Sequence, residues 1–230
     1  MRFRLFGFPI EFNITILLLF YFVGQGFEPA IAVVAGLAAV LSILVHELGH
    51  AFIAKGLGGK VQGITLHGLG GVTSWTGGRN TGWPRIAVAA AGSVTSIVIG
   101  AAIWLLASFG VLGDLAQLVL DAPWRVYLGD ALNAGNSLVF FLGVFVWANT
   151  ILGAFNLLPI GGLDGGTILS ELIEKALPGS GRLHGAIIGL IVGAAVAILL
   201  YQRGFTFAPI IIGIFSVQAL VRAFSSRPVK

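Results

Sequence analysis

Apolar residues run along this chain in blocks, and each block is about as long as a bilayer crossing. Six stretches, 10–27, 29–55, 84–108, 135–157, 183–201 and 206–224, are nearly free of charge. A transmembrane helix needs about 20 apolar residues to cross a hydrocarbon core of about 30 Å. The pattern therefore predicts an all-α polytopic membrane protein with about six transmembrane helices. The first stretch fits least well, because Glu11 and Asn13 stand near its start. Met1-Arg2-Phe3-Arg4 opens like the charged region of a signal peptide. No small-residue cleavage site follows, so the first block reads as a span. Pro29 suits the first turn of the second helix, where its missing N–H has no partner to lose.

Residues 56–82 break the pattern. Gly56-Leu57-Gly58-Gly59 ends a helix, and Val61 to Leu66 reads as a strand. Gly68-Leu69-Gly70-Gly71 turns the chain, and Val72 to Thr76 reads as a second strand. The expectation is a small membrane-associated β segment near residues 61–76. Non-helical backbone at membrane depth is tolerated only where it is buried in protein or faces water. Two helices also carry small residues four apart: Gly92, Ser96 and Gly100 on one, Gly185, Gly189 and Gly193 on the other. Such faces allow close helix packing in lipid.

Composition and charge sharpen this picture. Of 230 residues, 57% are hydrophobic and 10% charged, against about 25% charged in soluble domains. One membrane domain over residues 1–230 is expected. The absence of cysteine excludes disulfides and thiolate ligands. The net charge of +4 is small, but its placement is biased. With the N-terminus in the cytoplasm, Arg125 and Arg203 alone of the 13 lysines and arginines fall outside. The outer loop at 109–134 carries Asp114, Asp121 and Asp130. Both termini are predicted to be cytoplasmic. The second helix then runs inward from Pro29 and reaches residue 46 after about 26 Å, in the cytoplasmic half of the membrane.

At that depth stands His46-Glu47-Leu48-Gly49-His50. The two histidines are one helical turn apart on one face, so both imidazoles can hold one Zn²⁺. Glu47 lies about 100° round the helix, free to act as general base on a water at the metal. Charge at bilayer depth costs roughly 3 kcal/mol or more per group, so such residues are functional-site candidates. A zinc hydrolase needs a third protein ligand and an open position. Glu11 and Asp164 are the remaining acids at membrane depth. Asp164 ends Asn156-Leu157-Leu158-Pro159-Ile160-Gly161-Gly162-Leu163-Asp164, where Pro159 stops the helix and the glycines let the chain turn back. By the predicted topology it reaches the depth of His46 and His50.

The pairing of H-E-x-x-H on a membrane helix with a downstream N-x-x-P-x-x-x-L-D-G resembles the site-2 protease family of intramembrane zinc metalloproteases. The resemblance runs from about residue 40 to 170. It implies that His46, His50 and Asp164 bind one zinc ion and that Glu47 activates water, within a core of spans two to four. It further implies cleavage of a transmembrane segment of a single-span membrane protein, in regulated intramembrane proteolysis. The strand segment is similar to the family's membrane-associated sheet, where an unwound substrate would add beside Gly70, Gly71, Val72 and Thr73. Asn156, or Asn149 two turns earlier, would stabilise the oxyanion or position substrate. Ala91-Gly92-Ser93 stands where many members carry Gly-Pro, with Ser96 as a polar equivalent. The chain matches a compact form without PDZ-like or nucleotide-sensing domains. The expected surroundings are lipid and substrate, with no nucleic acid.

Rival readings stay open at this level. A different H-E-x-x-H enzyme would take its third ligand from Glu171 or Glu174. A metal-binding transporter or sensor without protease activity would want further ligands across the membrane. Intramembrane serine or aspartyl proteases are disfavoured, since neither G-x-S-G nor opposed aspartates are present.

Overall fold

The computed structural model describes residues 2–24, 28–109 and 137–225. The predicted outer loop at 109–134 lies almost wholly outside the described residues. In chain order the elements are β1 (Arg2–Leu5), β2 (Phe8–Phe12), α1 (Ile16–Gly24), α2 (Pro29–Gly56), β3 (Lys60–His67) and β4 (Gly70–Thr76). Then follow α3 (Trp83–Ser108), α4 (Ser137–Asn156), α5 (Asp164–Ala176), α6 (Gly181–Gln202) and α7 (Phe207–Ser225). Among the described residues four helices, α2, α3, α6 and α7, are long and apolar enough to cross a membrane. The chain forms two compact units, one of Met1–Gly78 with Ala91–Ala154, the other of Arg79–Ala90 with Phe155–Lys230.

The first unit is built on α2 and a four-stranded sheet in the order β1-β2-β3-β4. β2 and β3 are parallel, with Ile10 opposite Ile64 and Phe12 opposite Leu66, and the outer pairs are antiparallel. Side chains alternate across a strand, so Phe8 and Ile10 share one face, as do Ile64 and Leu66. All four are buried against Ile43, Leu44, Leu48 and Ala51 of α2. Those helix positions recur every three to four residues and form one stripe.

The predicted first span over 10–27 is corrected here. Phe8 to Phe12 form a strand, and the helix that follows has nine residues, about 13 Å at helical rise. The physical reason is the register of the N-terminus. Phe6 and Gly7 both take left-handed conformations, with φ of 51° and 84°, which suits a tight two-residue hairpin joining twisted strands. That turn pairs β1 with β2 and places Arg2 opposite Glu11, where their side chains meet at 3.0 Å. Glu11 is thus satisfied by an arginine across the sheet. The predicted strands near 61–76 are present as β3 and β4, extended by two strands at the N-terminus where a first span and its charged flank are expected.

The second unit is a helical assembly of α5, α6 and α7 with the first turns of α3. Gly185, Gly189 and Gly193 lie buried along α6. A Cβ on Gly189 would stand 2.9 Å from Gly161 N, and one on Gly193 would collide with Ser216 Oγ. This stripe therefore sets the closeness of α6 to the 159–161 turn and to α7, as small-residue faces do in lipid. Glu171 of α5 accepts a hydrogen bond from Gly82 N at 2.7 Å and pairs with Arg85 at 3.3 Å, which fixes the entry to α3. Elsewhere large side chains such as Val98, Ile191 and Leu199 are exposed on the spanning helices. Apolar surface of that extent fits lipid rather than water.

Glu174 closes the turn between α5 and α6. Its carboxylate accepts from Gly179 N at 2.7 Å and Gly181 N at 2.8 Å. These backbone N–H groups, with Arg182 nearby, hold its pKa below the ordinary glutamate value. Stability from a lowered carboxylate is full above its unfolded pKa and drains away as pH falls through the folded one. Melting temperatures of wild type and Glu174→Gln should therefore differ at neutral pH. They should converge as pH drops below the ordinary glutamate range, which a pH series of detergent melts would read.

Candidate metal centre

The α2 helix delivers His46, Glu47 and His50, and all three side chains are buried. The imidazole rings meet edge to face, with centroids 4.8 Å apart. Their Nε2 atoms lie 3.2 Å from each other. Two nitrogens held tetrahedrally by zinc at 2.0–2.1 Å would be about 3.3 Å apart. The observed pair thus has the spacing of two ligands to one ion. On the far side of His46, Ser96 Oγ stands 3.3 Å from Nδ1. A hydroxyl accepting the Nδ1 hydrogen leaves the Nε2 lone pair for a metal, the usual outer support of a ligating histidine.

Space for the site comes from glycine. A Cβ on Gly92 would collide with His50 Nε2 and stand 2.8 Å from His46 Nε2. Helix α3 therefore passes the imidazoles with no side chain of its own at that point. Gly49, between the two histidines, does the same from α2: its Cβ would lie 2.6 Å from Thr95 Oγ1 and 2.7 Å from Ala91 O. Two members of the stripe Gly92, Ser96 and Gly100 do more than pack: Gly92 gives the histidine pair its space and Ser96 supports His46.

Glu47 points towards the sheet. Its Oε2 accepts a hydrogen bond from Thr73 Oγ1 at 2.7 Å. Gly71, two residues earlier on the same strand face, leaves room for the carboxyl group, since a Cβ there would lie 2.8 Å from Oε1. Val72, between them, is exposed on the opposite face. Gly70 opens the strand with φ of +134°. The segment expected to receive substrate thus belongs to β4, the last strand of the sheet, and two of its residues surround the glutamate.

Asp164 is the first residue of α5, where a carboxylate also complements the helix dipole. The chain reaches it through a tight return after Pro159. Gly162 takes a left-handed φ of +91°, and a Cβ on Gly165 or Gly166 would collide with the carbonyls of Leu157, Leu158 or Ile160. His46 and His50 supply two imidazole donors on α2, and Asp164 carries the carboxylate that the sequence offers as the third ligand. Two imidazoles and a carboxylate are a donor set suited to zinc.

The other candidates have different neighbours. Glu171 and Glu174, the alternative third ligands, are committed to Gly82 and Arg85 and to the 179–181 turn. Asn149 donates from Nδ2 to Ser42 Oγ and to Phe145 O, both at 2.9 Å. The carbonyl partner requires a donor, which fixes the amide orientation. Its remaining atom, the buried Oδ1, is an acceptor with no partner among the described residues and cannot stabilise an oxyanion. Asn156 is the last residue of α4.

The match to known proteins agrees with this construction. Residues 34–200 match the model of Peptidase family M50, and the chain belongs to that family. A zinc metalloprotease of Methanocaldococcus jannaschii is 29% identical over 205 residues, 88% of this chain and 52% of the relative. A Synechocystis protein provisionally named a zinc metalloprotease is 32% identical over 143 residues, 62% of this chain and 32% of the relative. The chain thus spans about half or less of these relatives. A solved site-2 protease from Methanocaldococcus jannaschii shares the fold, with TM-score 0.61 and 24% identity over 100% of this chain and 96% of that one.

Position 92 offers a sharp test of the cradle. Alanine in a helix interior is favoured over glycine by about 1 kcal/mol, which offsets part of the roughly 1–3 kcal/mol that overpacking costs, so Gly92→Ala should keep a cooperative melt. Its methyl group would nevertheless push on both imidazoles. Elemental analysis should find zinc far below wild-type content in that folded protein.

Proposed function

We propose that this chain is an intramembrane zinc metalloprotease that hydrolyses a peptide bond within or near the transmembrane segment of a membrane protein. The observation that carries the reading is the buried histidine pair with Nε2 atoms 3.2 Å apart, next to a buried glutamate. Family membership and the apolar helices support it.

The residues divide the work as follows. His46, His50 and Asp164 would hold the ion, which when bound would supply a Lewis acid at the scissile carbonyl and acidify water. Glu47 takes a proton from the attacking water and returns it to the leaving amine, so water is split across the peptide bond with no other reactant. Asn156 is assigned to positioning substrate or the oxyanion, because both hydrogens of Asn149 are spent. Substrate enters unwound and adds as a strand at β4, which among the described residues pairs with β3 alone. A single-span protein fits best, since one helix must leave lipid and extend.

Orientation follows from charge. Both termini and the opening of the site lie on the cytoplasmic side, and the chain acts as one protease domain with six crossings. Five are α2, α3, α4, α6 and α7. The remaining one is shared between sheet and helix. Asn13 N donates to Leu66 O at the level of the sheet, and α1 then runs back along α2, with Phe20 beside Gly36. On this reading the strands take the cytoplasmic half of that crossing and the nine-residue helix α1 takes the rest.

Zinc content of the detergent-purified protein separates this reading from its rivals. Wild type and Glu47→Gln should each carry about one zinc per chain, as expected of a three-ligand site, and Asp164→Ala should lose it. Glu47→Gln should also lower cleavage by about 10²–10⁴-fold, the range for a positioned proton-transfer group. Full occupancy in Asp164→Ala would remove the third ligand. Metal flux into vesicles without cleavage of any single-span substrate would favour a transporter.

A further inference from the structure

Glu47 must keep one position while it takes and returns a proton, yet its side chain has three rotatable bonds and emerges from a helix whose own backbone cannot hold it. The contacts that hold it come from β4. Thr73 is buried, and its Oγ1 stands 2.7 Å from Glu47 Oε2 and 3.0 Å from the Glu47 backbone oxygen. We propose that Thr73 is a positioning residue for the catalytic base: its hydroxyl, with the gap left by Gly71, seats the Glu47 carboxyl group. This inference rests on the assignment of Glu47 as the base.

Two features argue for a seat rather than a chance contact. First, the two acceptors compete for one hydrogen. A threonine hydroxyl carries a single donor hydrogen and two acceptor lone pairs. The shorter contact, to Oε2, seats the carboxyl group, and the 3.0 Å contact to the Glu47 backbone oxygen keeps the same hydroxyl over the residue. Second, the wall is shaped on both sides. Gly71 and Thr73 point the same way from one strand, and a Cβ at 71 would lie 2.5 Å from Glu47 Cγ and 2.8 Å from Oε1. Glycine there leaves Oε1 uncrowded while Thr73 engages Oε2.

The test compares Thr73→Val, which keeps the shape and loses the hydroxyl, with Thr73→Ser, which keeps the hydroxyl. Infrared difference spectra of wild type against Glu47→Gln isolate the Glu47 carboxyl band in the detergent-purified chain. Thr73→Val should displace that band, and Thr73→Ser should leave it in place. On a labelled single-span model substrate, Thr73→Val should lower kcat by about tenfold to hundredfold, as misplacement of a reacting group does. KM should stay near wild type, zinc content should be unchanged, and Thr73→Ser should recover most of the rate. A band unmoved in Thr73→Val overturns the proposal, and so does a displaced band with wild-type kcat. If Glu47→Gln itself keeps wild-type kcat, the assignment of the base fails, while the band still decides whether Thr73 holds the carboxyl group. If Thr73→Val shows no cooperative melt, Thr73→Ala takes its place in the same comparisons.

Discussion

Hydrocarbon offers no partner to a polar group, so an imidazole, carboxyl or hydroxyl at membrane depth is costly unless it finds one inside the protein. The architecture of the first unit follows from that constraint. His46 has Ser96 and His50 beside it, Glu47 has Thr73, and Ser42 donates to Ala38 O while accepting from Asn149. A bundle of apolar helices could not supply a partner for Glu47 at this point on α2. A sheet folded against the helix can, because its alternate residues project towards α2 at fixed spacing. The same sheet buries Ile10, Ile64 and Leu66 completely, so the polar support is anchored in a dry core.

Close approach is the second requirement, and glycine meets it. The contacts around His46 and His50 exist because α3 presents Gly92 where any side chain would occupy the ligand space. Gly153 of α4 lies against Ser93 O at a virtual Cβ distance of 2.8 Å, which brings a third helix equally near. In water such approach would be driven by apolar burial. In lipid it depends on backbone packing and on hydrogen bonds between helices, so small residues at four-residue spacing carry much of the specificity.

The metal-binding motif was legible in sequence because its spacing is a property of one helix. His46 and His50 sit one turn apart whatever surrounds them, and Pro159 with its glycines marks the return that ends at Asp164. The supporting groups were not legible, because their roles depend on what faces them. Gly92 reads as packing until His46 and His50 lie opposite, and Ser96 reads as a polar position with no partner assigned until His46 faces it. Thr73 reads as part of the strand that receives substrate until Glu47 reaches it. The stretch 10–27 is not the single helix expected, for a different reason. Phe8, Ile10 and Phe12 alternate with Pro9 and Glu11, which is strand periodicity, but overall apolarity dominated a window sized for helices. Phe6-Gly7 is also a weak hairpin signal beside Asn-Gly.

The placement of β4 links binding and chemistry on the reading proposed here. Alternation sends Gly71 and Thr73 to Glu47 and Val72 to the opposite face, so the side chains occupy the two faces of the sheet. The backbone along the unpartnered edge points in neither of those directions. An extended peptide could therefore hydrogen-bond to that edge without displacing the groups that hold the base. It would arrive with its carbonyls fixed in register beside Glu47, because strand pairing has a period of two and a slip of one residue reverses every side chain. Selectivity for substrate would then lie less in side-chain pockets than in whether a transmembrane helix can unwind into a strand at all. Helix-weakening residues such as glycine or proline lower that cost.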